Sequence, residues 1–455
     1  MRILLIQAIS APAGGELVFP LGLARLAAAC QAEHEVLGLD LNLNPFPWPE
    51  LVATLTDFRP DIVAISCRNL DPLAGQLVSF VPPLVNLVGL VKEYAPEAKV
   101  ILGGSAFTLV TSRLLAEVPG VDLAVAGEAD EIWPRLLADP EQAATLPGVW
   151  RRQADGSFVS QGGVRHCQDL DSLPWPAWEV FNPRRYLEVN RYVAFMGVET
   201  KRGCANRCRY CLYPVLQGRW VRLRHPARVV DEIAWLQQEY GIEQIHFTDP
   251  VVNQPAEHLR AVCLELKRRG VQIGWTGFFR EDTLTAADLD LYRETGLLTL
   301  YFSADGASDP ALDLLAKDLT REQILTAARL AAASGVLTVY HFLVNLPGEN
   351  QQTVHQTREL LARLFELHAA TGNLGAVVLN NLRLYPGAPL TAEIIRRGLL
   401  DPRHDLLYPT YYNPPPWDHL RYELTAWCLR QGTRLYLNPA GPPAVAEGSY
   451  AHSPA

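Results

Sequence analysis

The 455-residue sequence predicts an α/β protein made of two successive β/α modules and a short, mostly helical tail. In two long blocks, short continuous apolar runs alternate with stretches of helical periodicity. Continuous apolar runs separated by helices indicate parallel strands that are buried on both faces. A hydrophobic content of 49% and a charged content of 20% are typical of a globular chain with a sizeable core.

The first block covers residues 1–140. Five apolar runs predict five strands: RILLIQ, HEVLGLD, DIVAIS, KVILGG and DLAVAG. Stretches such as PLGLARLAAACQ and LVNLVGLVKEYA predict the helices that connect them. We therefore expect an open, doubly wound sheet whose ligand lies at the carboxyl ends of the strands.

A less regular connector follows over residues 141–190. The segment RRQADGSFVSQGG predicts a small hairpin that turns at Asp155 and Gly156. The segment LPWPAWEVFNP, which proline interrupts twice before its final Asn-Pro, is typical of a linker.

The second block covers residues 191–390 and predicts six more strands: YVAFMGVE, EQIHFTD, VQIGWTG, LLTLYFS, LTVYHFLVN and AVVLNNLRLY. Helices such as PARVVDEIAWLQQEY and REQILTAARLAAAS lie between them, and Gly335 is a stop signal for the latter. Six β/α units predict an incomplete β/α barrel with its functional groups on the loops after the strands. The tail, residues 391–455, contains one amphipathic helix, DHLRYELTAWCLRQ.

Charge and hydropathy exclude several kinds of partner. The net charge is −9 and no basic run occurs, which argues against a nucleic-acid backbone as the main partner. The most apolar internal segment, LVSFVPPLVNLVGLV, is too short to span a bilayer and contains two prolines. Five of the eight cysteines are scattered, as in buried reduced thiols. We therefore expect a cytoplasmic, monomeric protein that acts on a small molecule.

The stretch TKRGCANRCRYCLYP contains the other three cysteines, Cys204, Cys208 and Cys211, directly after the first strand of the predicted barrel. Three thiols cannot all pair as disulfides, and their spacing differs from the C-x2-C of zinc ribbons. Three thiolates on an iron–sulfur cubane leave one iron open for a small molecule. A zinc site or three incidental buried thiols are the alternatives. Three arginines would add positive charge that stabilises thiolates: Arg202, Arg207 and Arg209.

With this C-x3-C-x2-C loop, the second block resembles the radical SAM superfamily over about residues 195–390. Four further segments match strand ends of that family: HFTDPVVN, FSADGAS, LVNLPGEN and RLYPGAPL. The resemblance implies a [4Fe–4S] cluster on the three cysteines, with S-adenosylmethionine (SAM) chelated to the free iron. It also implies cofactor contacts from Arg280, Ser303 and Asp305, the cation for a carboxylate and the acid for a hydroxyl.

The first block, placed ahead of such a barrel, resembles the Rossmann-like cobalamin-binding domain of class B radical SAM enzymes. The resemblance implies that Gly103, Gly104 and Ser105 line the channel for the nucleotide tail of cobalamin, with Gly127 and Glu128 nearby. An ordinary dinucleotide-binding fold is the alternative. No G-x-G-x-x-G follows the first strand, which disfavours that alternative.

Many cobalamin proteins supply a histidine to cobalt from a D-x-H-x-x-G motif, and this sequence has none. Arg68, in the loop SCRNLDP after the third strand, is instead the candidate for the lower face of cobalt. A protonated guanidinium has no lone pair to donate, so cobalt would have no protein ligand and methylcobalamin would release its methyl group more readily. The alternative is an ordinary ion pair between Arg68 and Asp71.

The resemblance implies transfer of a methyl group from SAM through methylcobalamin to a substrate carbon, with an external electron donor. One subtype of the family methylates C2 of tryptophan in antibiotic biosynthesis without cleaving SAM. In that subtype's chemistry Tyr301 would be the base for the indole N–H, and Glu281 would occupy the fourth iron. Packing of Tyr301 and a capping or surface role for Glu281 are the alternatives.

Two other functions stay open on the sequence. One is a radical cyclase or oxidase that uses cobalamin without methyl transfer, and the other is a cofactor-carrying protein without turnover. His246 and His341 lie on predicted strands, where we expect packed histidines of the core or the lumen.

Overall fold

The computed structural model describes residues 1–10, 17–72, 77–187 and 196–433. The strands of these ranges are β1 Arg2–Gln7, β2 Glu35–Asp40, β3 Ile62–Ser66, β4 Lys99–Gly103, β5 Leu123–Val125, β6 Val149–Arg152, β7 Phe158–Ser160, β8 Gly197–Val198, β9 Lys201–Arg202, β10 Arg222–Leu223, β11 Gln244–Phe247, β12 Gly274–Phe279, β13 Leu297–Asp305, β14 Leu337–Leu343, β15 Leu374–Asn380, β16 Leu382–Arg383 and β17 Tyr411–Tyr412. The α-helices are α1 Leu21–Ala28, α2 Pro47–Phe58, α3 Val81–Tyr94, α4 Ser105–Glu117, α5 Ile132–Ala138, α6 Pro140–Ala143, α7 Tyr213–Leu216, α8 Pro226–Tyr240, α9 Ala256–Arg269, α10 Ala286–Glu294, α11 Asp309–Leu315, α12 Arg321–Ser334, α13 Gln351–His368, α14 Pro389–Arg396 and α15 Leu420–Arg430.

The first sheet has the strand order β2-β1-β3-β4-β5-β6-β7. Strands β1 to β5 pair in parallel, as their continuous apolar runs predict. The strand order changes direction between β1 and β3, and a ligand crevice forms outside the carboxyl ends of strands at such a switch point. The predicted five-stranded core of the first module is therefore confirmed, with its crevice beside β1, β3 and β4.

The predicted hairpin extends the first sheet. Strand β6 pairs antiparallel with β5, and β7 pairs antiparallel with β6. Its turn lies at Asp155, whose side chain accepts a hydrogen bond from the Ser157 N–H at 2.9 Å, and at Gly156, whose φ is +85°. The linker after it forms short 3-10 turns, Trp178–Phe181 and Pro183–Tyr186, that pack on the N-terminal module.

The second sheet has the order β15-β14-β13-β12-β11-β8, and all its strands are parallel, which confirms the incomplete barrel. The described part of the first predicted strand pairs at Gly197–Val198. Its residues 192–195 lie outside the described ranges. Helix α12 begins with a capping box between Thr320 and Gln323 and ends at Gly335 with φ +73°. The last predicted segment is split, because Leu382–Arg383 leaves the barrel sheet to pair antiparallel with Tyr411–Tyr412.

The two modules share an apolar core. One face of the first sheet packs on helices α2 to α4, whereas the other face contributes Leu5 and Ala64 to a cluster that continues through Trp178 into Val198 and Phe247 of the barrel. Leu420 and Leu424 of α15 join the same cluster. Residues 434–455 of the predicted tail lie outside the described ranges. Among the helices described, none combines the length and apolar character that crossing a bilayer requires.

Candidate active site between the two modules

Two cavities of about 780 Å³ and 400 Å³ lie between the carboxyl ends of the first sheet and the mouth of the barrel. They share lining residues, among them Arg68, Gly104 and Ser105 of the first module and Tyr213 and Thr248 of the second. The larger cavity extends to the cysteine loop at Cys211. The smaller one extends into the barrel at His246 and Phe278. A ligand held by the first module therefore faces both the cysteine loop and the barrel interior.

The floor of the larger cavity is a glycine cradle after β4. Gly104 has φ +101°, and a Cβ there would lie 2.5 Å from the Cys67 carbonyl oxygen. Ser105 Oγ donates to the Arg68 carbonyl oxygen at 2.7 Å. The Gly127 N–H donates to Thr108 Oγ1 at 2.9 Å, a contact that no sequence motif predicts. Backbone with no side chain in the way fits a bulky planar ligand such as cobalamin.

The sequence-predicted cobalamin contacts Arg68, Gly103, Gly104, Ser105, Gly127 and Glu128 all line this larger cavity. The Glu128 carboxylate is also occupied by ion pairs: it accepts from Arg202 at 2.9 Å and from Arg222 at 2.7 Å. Glu128 therefore joins the two modules, which is a role that the sequence analysis did not foresee. The individual cobalamin contacts stay predictions.

The cysteine loop folds tightly around Gly203. Gly203 has φ +91°, and a Cβ there would lie 2.1 Å from the carbonyl oxygen of Trp220, so only glycine fits. The Cys204 N–H donates to the Gly218 carbonyl oxygen at 3.1 Å, and the Cys211 N–H donates to that of Cys208 at 3.3 Å. These contacts hold the loop in one conformation between β9 and α7.

The three thiols of this loop are reduced, and Cys204 and Cys208 are buried. Burial raises the pKa of Cys208 and raises that of Cys211 to about 12, while Lys317 opposes the shift at both. Iron binding would displace those thiol protons. The described part of the chain contains no group of three or more His, Cys, Asp or Glu side chains arranged around a single metal ion. Cys204, Cys208 and Cys211 stay the predicted cluster ligands, and three thiols on one tight loop beside a buried cation fit that group.

Lys317, which the sequence analysis missed, is a buried cation beside the cysteine loop. Its Nζ donates to Asp305 Oδ2 at 3.0 Å and to the Ser303 carbonyl oxygen at 2.5 Å, and Tyr210 Oη lies 3.3 Å away. Tyr210 also donates a short hydrogen bond to Asp305. Burial opposes the Lys317 charge, but Asp305, Cys208 and Glu281 outweigh it and raise its pKa.

Backbone strain accompanies this lysine. The residues on either side of it, Ala316 and Asp318, both have φ +50°, and Asp305 has φ +59°. Left-handed backbone at non-glycine residues costs free energy and is concentrated at functional sites. The strained turn places the ammonium group against the end of β13, next to the predicted SAM contacts Ser303 and Asp305.

Arg280 and Glu281 follow β12 and are both buried. Arg280 Nε donates to Asp282 at 2.8 Å, and its Nη2 donates to the carbonyl oxygens of Lys317 and Asp318. Arg280 therefore holds the backbone of the turn at Lys317 and Asp318. Within the described residues, neither Glu281 carboxylate oxygen has a hydrogen-bond partner, and burial raises the Glu281 pKa to about 7 although Lys317 lowers it. Its burial excludes the surface alternative. A buried carboxylate without a hydrogen-bond partner fits a group that binds a ligand.

Tyr301 lies in the barrel lumen among aromatic rings. Its ring centroid is 5.5 Å from Phe278, 6.3 Å from His246 and 6.4 Å from His341. His246 Nδ1 lies 2.8 Å from Thr276 Oγ1, and burial lowers its pKa to about 4. We call these four residues, Phe278, Tyr301, His246 and His341, the lumen aromatic group.

The predicted role of the loop arginines requires a correction. Arg202 does not act as an unpaired charge on the cysteines, because its guanidinium pairs with Glu128, Asp130 and Glu199. Arg209 likewise pairs with Glu393. The carboxylates involved come from distant parts of the sequence, so the cysteine motif alone could not reveal them.

Comparison with known proteins agrees with this division of the chain. Residues 9–137 match the B12 binding domain, and residues 198–361 match the radical SAM superfamily. The chain is 26% identical over 427 residues to an uncharacterized methyltransferase of Pyrococcus horikoshii, a match that covers 92% of this chain and 88% of that protein. It is 25% identical over 387 residues to an anaerobic magnesium-protoporphyrin IX monomethyl ester cyclase of Rubrivivax gelatinosus, covering 79% of this chain and 65% of the cyclase.

Among solved structures, the fold is similar to that of the radical SAM methyltransferase TsrM from Kitasatospora setae, determined with tryptophan substrate and a SAM analogue bound. The TM-score is 0.72 at 22% identity, over 87% of this chain and 76% of that one. A B12 binding domain and a radical SAM domain thus face each other across these two cavities. The chain belongs to the cobalamin-dependent, or class B, radical SAM enzymes, whose cofactors are a [4Fe–4S] cluster, S-adenosylmethionine and cobalamin.

Proposed function

We propose that this enzyme transfers a methyl group from SAM, by way of cobalamin, to a carbon of a small aromatic molecule in the barrel lumen. The observation that carries the proposal is the pair of cavities with shared walls. They connect the glycine cradle at Gly104 with the cysteine loop at Cys211 and with the barrel interior at His246. A methyl group passed across this junction has a direct path from the first module to the lumen.

When bound, cobalamin would carry the methyl group that SAM supplies. The protein residues supply placement and proton transfer. Arg68, whose carbonyl oxygen accepts a hydrogen bond from Ser105, has a side chain without a lone pair and so would give cobalt no protein ligand. Arg280 and Lys317 supply positive charge for a carboxylate, and Asp305 accepts a hydrogen bond from a hydroxyl.

The lumen aromatic group suits a flat, electron-rich ring, and we propose tryptophan, methylated at C2, as the substrate to test first. The rings of this group pack on one another at centroid separations of 5.5–6.4 Å around Tyr301. Two of them, Phe278 and His246, line the smaller cavity, where an indole would stack or pack edge-on against them. Tyr301, as the phenolate, would accept the indole N–H proton at Oη and become the phenol as the new bond to carbon forms. Glu281, a buried carboxylate, would take the remaining iron position and so prevent SAM cleavage.

Oxidative cyclisation is the second candidate, because one relative is a cyclase. The match covers only 65% of that cyclase but 88% of the methyltransferase relative. The chain is therefore similar to the methyltransferase over nearly its whole length, which favours methyl transfer.

The test is an anaerobic incubation of the reconstituted holoenzyme with SAM, a reductant and tryptophan, with products read by mass spectrometry. We expect tryptophan to gain one methylene unit, with S-adenosylhomocysteine formed and no 5′-deoxyadenosine. A methylated product together with 5′-deoxyadenosine would contradict the roles given to Tyr301 and Glu281 but not methyl transfer itself. A product that is oxidised without a mass gain would contradict methyl transfer.

Two variants test the cofactor placement separately from turnover. Cys208→Ala should lose the brown cluster absorbance and retain cobalamin. Arg68→His should give cobalt a lower ligand and change the visible spectrum of bound cobalamin. An unchanged spectrum would place Arg68 away from the metal.

A further inference from the structure

One fully buried ion pair joins the end of the barrel to the loop that contains Arg68. Arg383 Nε donates to Asp71 Oδ2 at 2.9 Å, and the two side chains are 5% and 0% exposed. Arg383 lies on β16, directly after the last strand of the barrel sheet, whereas Asp71 follows β3 of the first module, 312 residues away in sequence. Among the described residues, Asp71 thus forms its salt bridge with the barrel instead of with Arg68, the partner that the sequence alternative gave it.

The Arg383 guanidinium is held in one orientation. Its Nη1 and Nη2 donate to two main-chain carbonyl oxygens at 2.5 Å and 3.3 Å, and its central carbon lies 4.6 Å from the ring centroid of Tyr385. Tyr411, which is paired with Arg383 across β16 and β17, has its Oη 3.5 Å from the second carboxylate oxygen of Asp71. Three acceptors and a ring face therefore fix the direction from which Arg383 holds Asp71.

Asp71 ends the short loop that places Arg68 at the cavities. At the start of this loop the Cys67 N–H donates to a carbonyl oxygen of β4 at 2.8 Å, and Ser105 Oγ donates to the Arg68 carbonyl oxygen at 2.7 Å. Arg68 lines both cavities, and three residues further on Arg383 holds Asp71. The loop is therefore fixed at one end by the glycine cradle and at the other end by the barrel.

Stability alone does not account for a buried pair of this kind. Removing two charges from water costs about as much free energy as their attraction supplies, and apolar residues of similar volume often stabilise a fold equally well. A guanidinium and a carboxylate bind at defined angles, so such a pair adds direction that apolar side chains lack. Groups one step removed from a metal site commonly orient the residues that face the metal. Tyr385, on which the Arg383 guanidinium lies, lines the larger cavity itself.

We propose that Asp71 and Arg383 are positioning residues that set the Arg68 side chain beneath cobalt when cobalamin is bound. The inference rests on the placement of Arg68 in the proposed function, and it does not depend on the identity of the methyl acceptor. Because the anchor of the loop belongs to the barrel, the barrel determines how the first module presents Arg68 to its cofactor. The pair itself forms and breaks no bond in the reaction.

Electron paramagnetic resonance of cob(II)alamin bound to the full-length protein tests the proposal, because a nitrogen ligand splits the cobalt lines. Labelling the protein with nitrogen-15 distinguishes a protein ligand from the benzimidazole of the cofactor. The wild type should show no nitrogen-15 splitting, and Arg68→His should show it. Asp71→Leu with Arg383→Met replaces the ion pair by apolar residues, which should leave folding intact. In the Arg68→His background this apolar pair should lower the nitrogen-15-ligated fraction of cobalt by at least half.

Arg113→Met with Asp405→Leu is the matched control. That pair also joins the tail to the first module, at 2.6 Å, but its side chains are 41% and 38% exposed, so the ligated fraction should not change. An unchanged fraction with the apolar pair, or an equal fall in the control, would overturn the positioning role. Loss of cobalamin with the apolar pair would also overturn it, since Asp71 and Arg383 would then hold the cofactor module rather than Arg68. Arg68→His without any splitting would contradict the placement of Arg68 itself, and this inference with it.

Asp71→Asn provides a second variant, with urea unfolding of the cofactor-free protein as the check on folding of both. The asparagine amide oxygen still accepts a hydrogen bond from Arg383, but the charge that fixes the direction of the pair is gone. In the Arg68→His background the ligated fraction should fall by less than with the apolar pair, while cobalamin is retained. If the apolar pair does not fold, a ligated fraction in Asp71→Asn equal to that of Arg68→His alone would overturn the proposal.

Discussion

Lys317 Nζ lies 3.0 Å from the carboxylate of Asp305, and both side chains are largely buried beside the cysteine loop. The pair joins the end of β13 to the strained turn after α11. Both side chains also contact the hydroxyl of Tyr210, the residue that precedes Cys211. The end of β13, the turn after α11 and the predicted cluster loop are thereby held in one arrangement.

Substitution Lys317→Met should therefore be costly. It leaves the carboxylate of Asp305 without its buried cation, and breaking a buried pair from one side costs about 3–5 kcal/mol. Chemical unfolding of the cofactor-free protein measures this loss. Lys267→Met is the matched control, because Lys267 pairs with Glu294 at the surface, where such pairs contribute little. Equal stability of the two variants would contradict the structural role of Lys317.

Substitution Gly104→Ala should disrupt the cobalamin cradle without affecting the cysteine loop. The added Cβ would lie 2.5 Å from the Cys67 carbonyl oxygen at a φ of +101°, and such strain costs about 1–3 kcal/mol. We expect cobalamin to be lost on desalting while the cluster absorbance is retained. Gly89→Ala in α3 meets no atom within 4 Å and should stabilise the protein slightly. Normal cobalamin retention by Gly104→Ala would show that the glycine cradle is not part of the cobalamin site.

Substitution Glu128→Gln tests the junction between the modules. It removes the charge that two buried arginines, Arg202 and Arg222, share, so we expect a loss on the order of 3 kcal/mol in the absence of cobalamin. Glu131→Gln, which breaks a half-exposed pair with Arg165, should cost no more than about 1 kcal/mol. A loss of cobalamin affinity at unchanged stability would instead assign Glu128 to the cofactor alone.

Local patterns in the sequence were sufficient to predict the two parallel sheets and their order along the chain. Continuous apolar runs, helix periodicity and stop signals such as Gly335 predict the parallel strands of both sheets and helices between them from neighbouring residues, and the parallel pairing follows from their alternation. The cysteine spacing predicts the loop after the first barrel strand in the same way. The pairing of the hairpin with β5 was not predictable, because no local pattern specifies which sheet edge a hairpin joins.

The hydrogen bonds and ion pairs around the candidate site were not predictable for a related reason. Lys317 lies 107 residues from Tyr210 in sequence, and Arg202 lies 74 residues from Glu128. A single lysine in a polar turn has no motif, and its environment arises only when the barrel closes. The two flanking left-handed residues were not predictable either, because alanine rarely adopts such backbone and one aspartate, although its residue type is enriched there, does not specify it.

The lumen aromatic group makes stability depend on pH through His246. Burial lowers its pKa to about 4, whereas an unfolded histidine titrates near 6.5. The unfolded chain therefore binds a proton that the folded protein excludes. The stabilisation is fully present above pH 6.5, and about 2 kcal/mol of it is lost by pH 5.

Substitution His246→Asn should remove this part of the pH dependence. Asparagine keeps a polar atom near Thr276 Oγ1 but has no titratable group, so its loss of stability between pH 7.5 and pH 5 should be about 2 kcal/mol smaller than that of the wild type. Urea unfolding of the cofactor-free protein at the two pH values measures the difference, and other titrating groups cancel because both proteins contain them. His355→Asn, at a side chain 71% exposed, should leave the wild-type pH dependence in place. Parallel losses in His246→Asn and the wild type would mean that water or a mobile neighbour solvates the lumen histidine, which would also weaken the proposal that the lumen holds an apolar ring.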